Sequence, residues 1–305
     1  GMGAYDIASI RNPAIKELFR LRVGGRRARA ARGVCLVHGK QLVQSIGEFF
    51  KFREVYTHEA QGVYNADRVV RVQKTVLQHV LFGPKEEPAK RVDDDAFVIG
   101  KIDHPQPVEE FDSPPKWLLA IDKIKHPENM GLLLSTAVAL KFDGVVFNAE
   151  CVDPFSYKVL DASQAVAWTL PYRYATSQQL LELSRRHGLL LCAGSTKGRP
   201  LQDLPTSTGH RGFCLVVGSE AEGVQKELLQ HCEQVSLPMS ELVESLNAGV
   251  AGGILMHSLT MQLGGFASKH VAVACFAAAV QQWLLDLCLR KSTHLAAGVS
   301  TPSLF

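Results

Sequence analysis

Between residues 117 and 237, short and continuously apolar runs recur: Trp117 to Ile121, Val145 to Phe147, Leu189 to Ala193, Phe213 to Val217 and Val235 to Leu237. Unbroken runs, unlike alternating ones, predict strands buried on both faces. The helical stretches between them therefore predict a parallel sheet with helices on either side. Ligands of such sheets gather beyond the carboxyl ends of the strands.

The first hundred residues have a different rhythm and read as a small mixed domain. Asn12-Pro13 starts a helix through Ile15, Leu18, Phe19 and Leu21, which Gly24-Gly25 ends. Val34 to Val37 is a strand, Leu42, Val43, Ile46 and Phe50 have helical spacing, and Val69 to Val76 supplies one more element. From Gly83 to Pro115 six prolines and Asp93-Asp94-Asp95 describe turns around a strand at Phe97 to Ile99. The domain junction falls near Pro105 to Pro115, where a proline-rich connector is compatible with a hinge or a semi-rigid spacer. The expected organisation is a small domain over 1–105, a linker over 106–115, a large domain over 116–265 and a helical extension over 266–305.

At 305 residues, with 46% apolar and 21% charged residues, the chain has the composition of a folded protein with more than one domain. A net charge of +3 does not by itself indicate a polyanionic partner. Its distribution does: Arg20, Arg22, Arg26, Arg27, Arg29 and Arg32 stand close together with no acid between them, a block able to neutralise phosphates. A solvated face or part of a targeting segment would look the same. The run His270 to Leu285, bracketed by Lys269 and Asp286, is shorter than the roughly 20 residues that cross a bilayer, so no membrane insertion is expected. The seven cysteines are scattered, without the close pairs of zinc sites or redox dithiols. Buried thiols in a reducing compartment, and no metal, are the simpler expectation.

Three polar, glycine-containing segments follow strand candidates: Asn129-Met130-Gly131, then Gly218-Ser219-Glu220-Ala221-Glu222-Gly223, then Glu244-Ser245-Leu246-Asn247-Ala248-Gly249. Glycines permit close backbone approach, and free amides at a helix start hold polar or anionic groups. Each segment alone is equally an ordinary turn and cap. Their order and spacing are more specific, since one cleft can collect the second and third around an adenosine-like ligand.

With these segments in this order, the chain resembles the TrmH/SpoU group of knotted RNA ribose methyltransferases, over Asn12 to Lys40 for the small domain and Trp117 to Leu263 for the large one. The resemblance implies an α/β fold: a knotted parallel-sheet methyltransferase domain with a smaller N-terminal α/β RNA-binding domain. It implies S-adenosyl-L-methionine held by Gly218, Glu220, Gly223, Leu237, Met239, Ser245, Leu246 and Asn247. Catalytic roles would fall to Asn129, Glu220, Ser245 and Asn247, and methyl would pass to a ribose 2′-hydroxyl of ribosomal or transfer RNA. The arginine block of the small domain would bind RNA, and the knotted domains would pair.

The departures from the family pattern affect the substrate side more obviously than the cofactor side. The arginine that ends the first motif is replaced by Ser135, Ser219 stands where asparagine is common, Asp161 where a basic residue is common, and Gln164 where glycine is common. A carboxylate beside phosphate repels it. The expectation is an RNA-associated ribosome-assembly factor, weakly active or inactive alone, whose partners are ribosomal RNA or a large-subunit precursor and a second copy or a related methyltransferase-fold protein. An active ribose methyltransferase and a metabolic nucleotide-binding enzyme are the alternatives. Mitochondria, the cytoplasm or another intracellular site of ribosome assembly would be the location.

Overall fold

The computed structural model describes residues 5–83, 94–205, 209–219, 221–240 and 242–263. The small domain is built on β1 (Val34–His38), β2 (Phe52–Thr57), β3 (Ala66–Arg71) and β4 (Val98–Asp103), in the spatial order β1-β4-β2-β3. Strand β4 runs antiparallel to β1 and β2, and β2 pairs in parallel with β3. Helices α1 (Pro13–Val23) and α4 (Lys74–Phe82) bury Leu18, Leu21, Leu77 and Val80 against one face, beside Leu36, Tyr56 and Ile99. Asn12 caps α1 by accepting from the Ala14 amide, Pro13 needs no amide partner there, and Gly24 leaves the helix in an extended conformation. Helix α2 (Arg26–Arg32) follows at once, and α3 (Lys40–Gly47) covers the opposite face with Leu42, Val43 and Ile46. Phe50 lies beyond the end of α3.

The large sheet has six strands, all parallel: β5 (Trp117–Ile121), β6 (Gly144–Phe147), β7 (Tyr172–Tyr174), β8 (Leu189–Pro200), β9 (Gly212–Val217) and β10 (Glu233–Ser236). Their spatial order is β10-β8-β9-β5-β6-β7. Helices α5 (Pro127–Ala139), α6 (Tyr157–Ala162) and α9 (Ala248–Gln262) cover one face, while α7 (Ser177–His187) and α8 (Lys226–Leu229) cover the other. Burial on both faces explains why β5, β6 and β9 read as unbroken apolar runs. Two elements of this sheet differ from the expectation. Strand β7 is an addition at the sheet edge, and β8 continues to Pro200 through polar residues that pair with β10 across a register shift. The helical extension over 266–305 and the apolar run inside it lie outside the described residues. No described helix is long and apolar enough to cross a membrane.

The two sheets share a core. Cys35, Val37, Phe52 and Ile102 from the small sheet belong to one buried cluster with Phe155, Val159 and Leu160 beside the large sheet. The connector is tied down at both ends: the His104 amide donates to Gly33, the Val108 amide to Tyr172, and the Tyr172 hydroxyl to Pro105, 2.8 Å away. A hinge at the prolines would have to break these bonds and expose apolar surface, so the semi-rigid alternative describes the connector.

His104 sits in that seam, 7% exposed, with Nδ1 2.6 Å from the Pro105 carbonyl and its ring edge-on to Phe155. Burial holds its pKa below the usual 6.5; the Arg29 charge adds to this, while the Pro105 carbonyl and Asp153 oppose it. The unfolded chain therefore binds this proton more readily than the folded one. Stability is full above pH 6.5 and is lost as pH falls toward the lowered value, by no more than about 1.4 kcal/mol per pH unit. Thermal unfolding measured from pH 8 to pH 5 should show this loss, and His104→Gln should flatten that part of the profile. An identical profile in the variant would reject the assignment.

Candidate active site

At the carboxyl ends of β8, β9 and β10 lies a cavity of about 450 Å³, closed on one side by the start of α9. Its floor is apolar, from Val217, Val235 and Leu255, and its rim is polar, from Ser195, Thr196, Ser219 and Ser245. Glycines shape it. A Cβ on Gly218 would overlap the backbone of Gly223 and Val224, so the loop after β9 folds back on itself only because that position has no side chain. Gly223 makes the return turn at φ +67°, and its amide donates to the Ser219 carbonyl at 2.9 Å. Beyond the turn, Gln225 anchors the loop: its amide and its side-chain nitrogen both donate to the buried Asp122 carboxylate, at 2.8 and 2.7 Å.

The first and third sequence segments meet beside this cavity. Asn247 caps α9, its Oδ1 accepting from the Gly249 and Val250 amides, and its Nδ2 donates to Oδ1 of the buried Asn129 at 2.8 Å. Helices α5 and α9 approach closely because a Cβ at Gly252 would strike Leu133. At Gly131 a Cβ would come within 2.5 Å of Ala162, so the same helix also lies tight against α6. Asn129 and Gly131 are thus inside the first turns of α5, which starts at Pro127, rather than in a loop leading to it. The free helix-start amides that the sequence suggested are those at Asn247, where the cap uses two of them.

Of the expected cofactor-binding residues, Gly218, Gly223, Leu237, Met239, Ser245 and Leu246 line the cavity. Asn247 stands behind the lining with Asn129 as its partner, so both position the walls and do not form them. Glu220 lies outside the described residues. Gly194, Ser195 and Thr196 also form the wall and had no signal in the sequence, because nothing in a Gly-Ser-Thr run marks the strand extension that carries it.

The substitutions singled out in the sequence can also be placed. Ser135 is half-buried on α5, and its hydroxyl donates to the Leu132 carbonyl of its own helix at 3.1 Å. It carries no charge and spends its proton on the backbone. Asp161 lies in the last turn of α6, next to the Ala162 that abuts Gly131. Gln164 has φ +52° and Ala165 +54°, left-handed conformations that a glycine adopts without strain, which accounts for the glycine expected at Gln164.

The arginine block divides in two, and for Arg29 the expectation of an RNA contact is corrected. Its side chain is 4% exposed; Nε and Nη2 donate to Asp153 Oδ2 at 2.7 and 2.5 Å, and Nη1 donates to Leu21 O at 2.8 Å. A polyanion cannot reach a guanidinium so enclosed. Arg26 donates to the carbonyls of Ala149 and Cys151 and stacks 4.5 Å over Tyr174, while Arg22 lies 5.1 Å over Tyr157. These three arginines join the domains. Arg20, Arg27 and Arg32 are exposed and keep the surface role open.

No group of three or more histidine, cysteine, aspartate or glutamate side chains among the described residues is placed to hold a metal ion. Burial raises the thiol pKa of Cys192 and Cys232 to about 12, so both stay protonated at neutral pH.

Comparison with known proteins agrees with this layout. The SpoU rRNA Methylase family model matches residues 116–257. An uncharacterized tRNA/rRNA methyltransferase of Synechocystis is 29% identical over 273 residues, 84% of this chain and 95% of that protein. RlmP of Bacillus subtilis, a 23S rRNA (guanosine(2553)-2'-O)-methyltransferase, is 26% identical over 256 residues, 83% of this chain and 98% of its own. Among solved structures, the AdoMet-bound rRNA methyltransferase of Sinorhizobium meliloti superposes with a TM-score of 0.67 at 20% identity, covering 84% of this chain and 97% of that one. AviRb of Streptomyces viridochromogenes, solved with AdoMet, gives 0.68 at 18% identity, covering 84% and 100%. At these identities the likeness to solved structures is one of fold.

Proposed function

We propose, from the match of residues 116–257 to the SpoU rRNA Methylase family model, that this chain binds S-adenosyl-L-methionine in the cavity beside α9 and acts on large-subunit ribosomal RNA or its precursor. The observation that carries the reading is the cavity itself. Its volume suits a cofactor-sized ligand, its floor is apolar, its polar groups converge from the extended end of β8 and two loops, and Gly218 lets the loop after β9 fold back to form one wall. The cofactor supplies a methyl group on a positively charged sulfur, ready for in-line attack.

This chain's residues then hold and orient. The Gly218–Gly223 turn presents backbone groups to the ligand, and the Asn129–Asn247 bond fixes α9 against α5 so that the third loop keeps its position. A ribose hydroxyl attacks only as its proton leaves, and a nearby cation makes that easier. Ser135 offers none. We therefore read the chain as a ribosome-assembly factor in which methyl transfer is weak or absent when it acts alone. The intact cavity favours a second reading, an active ribose methyltransferase whose missing cation comes from a partner subunit. Val250 and Ile254 on α9, with Leu242 and Val243 just before it, are 36–94% exposed, which supports pairing with a second copy or a related protein.

Labelled S-adenosyl-L-methionine incubated with precursor large subunits separates these readings. The chain alone should bind the particles and transfer little label, and Ser135→Arg should raise transfer at least tenfold if the missing charge is what limits it. Transfer by the unaltered chain at rates typical of enzymes, about 1 s⁻¹ or more, would replace the assembly-factor reading by the enzymatic one. No binding to ribosomal particles or RNA would reject both.

A further inference from the structure

Three depressions lie end to end along the carboxyl edge of the large sheet. The 450 Å³ cavity shares Glu222, Gly223 and Val224 with a cleft of about 280 Å³ that also touches Lys123 and Lys226. That cleft in turn shares Gln225 and Glu227 with an open groove of about 620 Å³ beyond β6 and β7. We propose that this path seats an extended single strand of RNA, leading from the arginine-rich helix α2 to the methyl-donor cavity; the inference rests on the reading of the preceding subsection.

Continuity with α2 is the first support. Arg26 donates to the Ala149 carbonyl at 3.2 Å and lies over the Tyr174 ring, and both Ala149 and Tyr174 line the groove. The groove thus opens where the small domain meets the large one, close to the cations of that helix. Its chemistry is the second. Asn148, Ser177, Gln178 and Gln225 offer neutral donors and acceptors, and the Tyr174 hydroxyl is enclosed with no hydrogen-bond partner among the described residues. Neutral amides and hydroxyls suit unstacked bases, whose hydrogen-bonding edges are free only in a single strand.

The acids on the path decide which way such a strand faces. Lys123 lies 3.7 Å from Glu150 and 3.5 Å from Glu222, so two of the carboxylates are partly neutralised, while Glu227, next to Lys226 in the chain, has no ion pair among the described residues. Phosphates are favoured toward solvent and the lysines, and bases toward the amides. Removing Glu227 should then help binding, and adding acids to the groove should oppose it.

The test is fluorescence anisotropy of a labelled single-stranded RNA with the full chain, together with calorimetric titration of S-adenosyl-L-methionine. Ala149→Glu with Ser177→Glu places carboxylates on two walls; Ser177 begins α7, where an acid suits the helix dipole, so the fold is retained. This double variant should bind RNA at least tenfold more weakly with unchanged cofactor affinity, and Glu227→Gln should bind a few-fold more tightly. Ser113→Glu, an exposed position preceding the amino end of β5, should match the unaltered chain. Equal RNA affinity in the double variant, or an equal loss in Ser113→Glu, would overturn the path and leave the proposed function standing. Absence of RNA binding by the unaltered chain would overturn both.

Discussion

Replacing Arg29 with methionine should cost about 3–5 kcal/mol of folding stability, the largest loss expected from any arginine of the block. The methionine fills much of the space but leaves Asp153, 8% exposed, without the cation that two guanidinium nitrogens now bring to one of its oxygens. The other oxygen accepts from the Phe155 amide at 3.0 Å, so the carboxylate cannot turn away to find water. Asp153→Asn made in the Arg29→Met background should restore most of the loss, because the neutral amide retains an acceptor for Phe155 and removes the uncompensated charge. Urea unfolding of the single and double variants measures the coupling directly. A single variant within about 1 kcal/mol of the parent would show that the pair is not the clamp described here. Any RNA footprint should accordingly be mapped with Arg20, Arg27 and Arg32, since loss of binding in Arg29 variants would report a loosened seam.

Gly218→Ala should weaken S-adenosyl-L-methionine binding by about 100-fold or more while leaving the protein folded. The new methyl group would occupy the place of the Gly223 and Val224 backbone, so the return limb of the loop must shift, and that limb forms one wall of the cavity. Strand β9 ends one residue earlier, at Val217, and its pairing with β5 and β8 does not depend on the loop. Gly223→Ala is a graded comparison: no atom of the described residues obstructs its Cβ, and the φ of +67° is strained, at about 1–2 kcal/mol. Calorimetric titration with S-adenosyl-L-methionine should rank the two variants in that order. Equal affinity of Gly218→Ala and the parent would place the cofactor elsewhere.

Much of the large domain is legible in the chain because each central strand is buried on both faces and must be apolar throughout. Strand β7 escapes notice because it is only Tyr-Arg-Tyr after a proline, held by neighbours on one side. Strand β2 escapes because Arg53 and Glu54 interrupt its apolar residues. The cavity is half legible. Glycine-containing loops announce themselves, whereas Gly194 to Thr196 belong to a strand whose polar continuation is fixed by β10, a partner found only after folding. The arginine block shows the limit most clearly. Nothing near Arg29 in the chain distinguishes it from Arg27, because its partner Asp153 is 124 residues away.

The bond between Asn129 and Asn247 has a consequence for synthesis. Its two halves are 118 residues apart, and the second belongs to the cap of α9, which follows every strand of the large sheet. On the ribosome, a nascent chain can pair β5 with β6 and dock α5 long before Asn129 meets its partner. Contacts of such separation form late and slowly. The cavity wall is therefore finished only when translation has passed α9, and ligand affinity reports a completed domain, not a growing one.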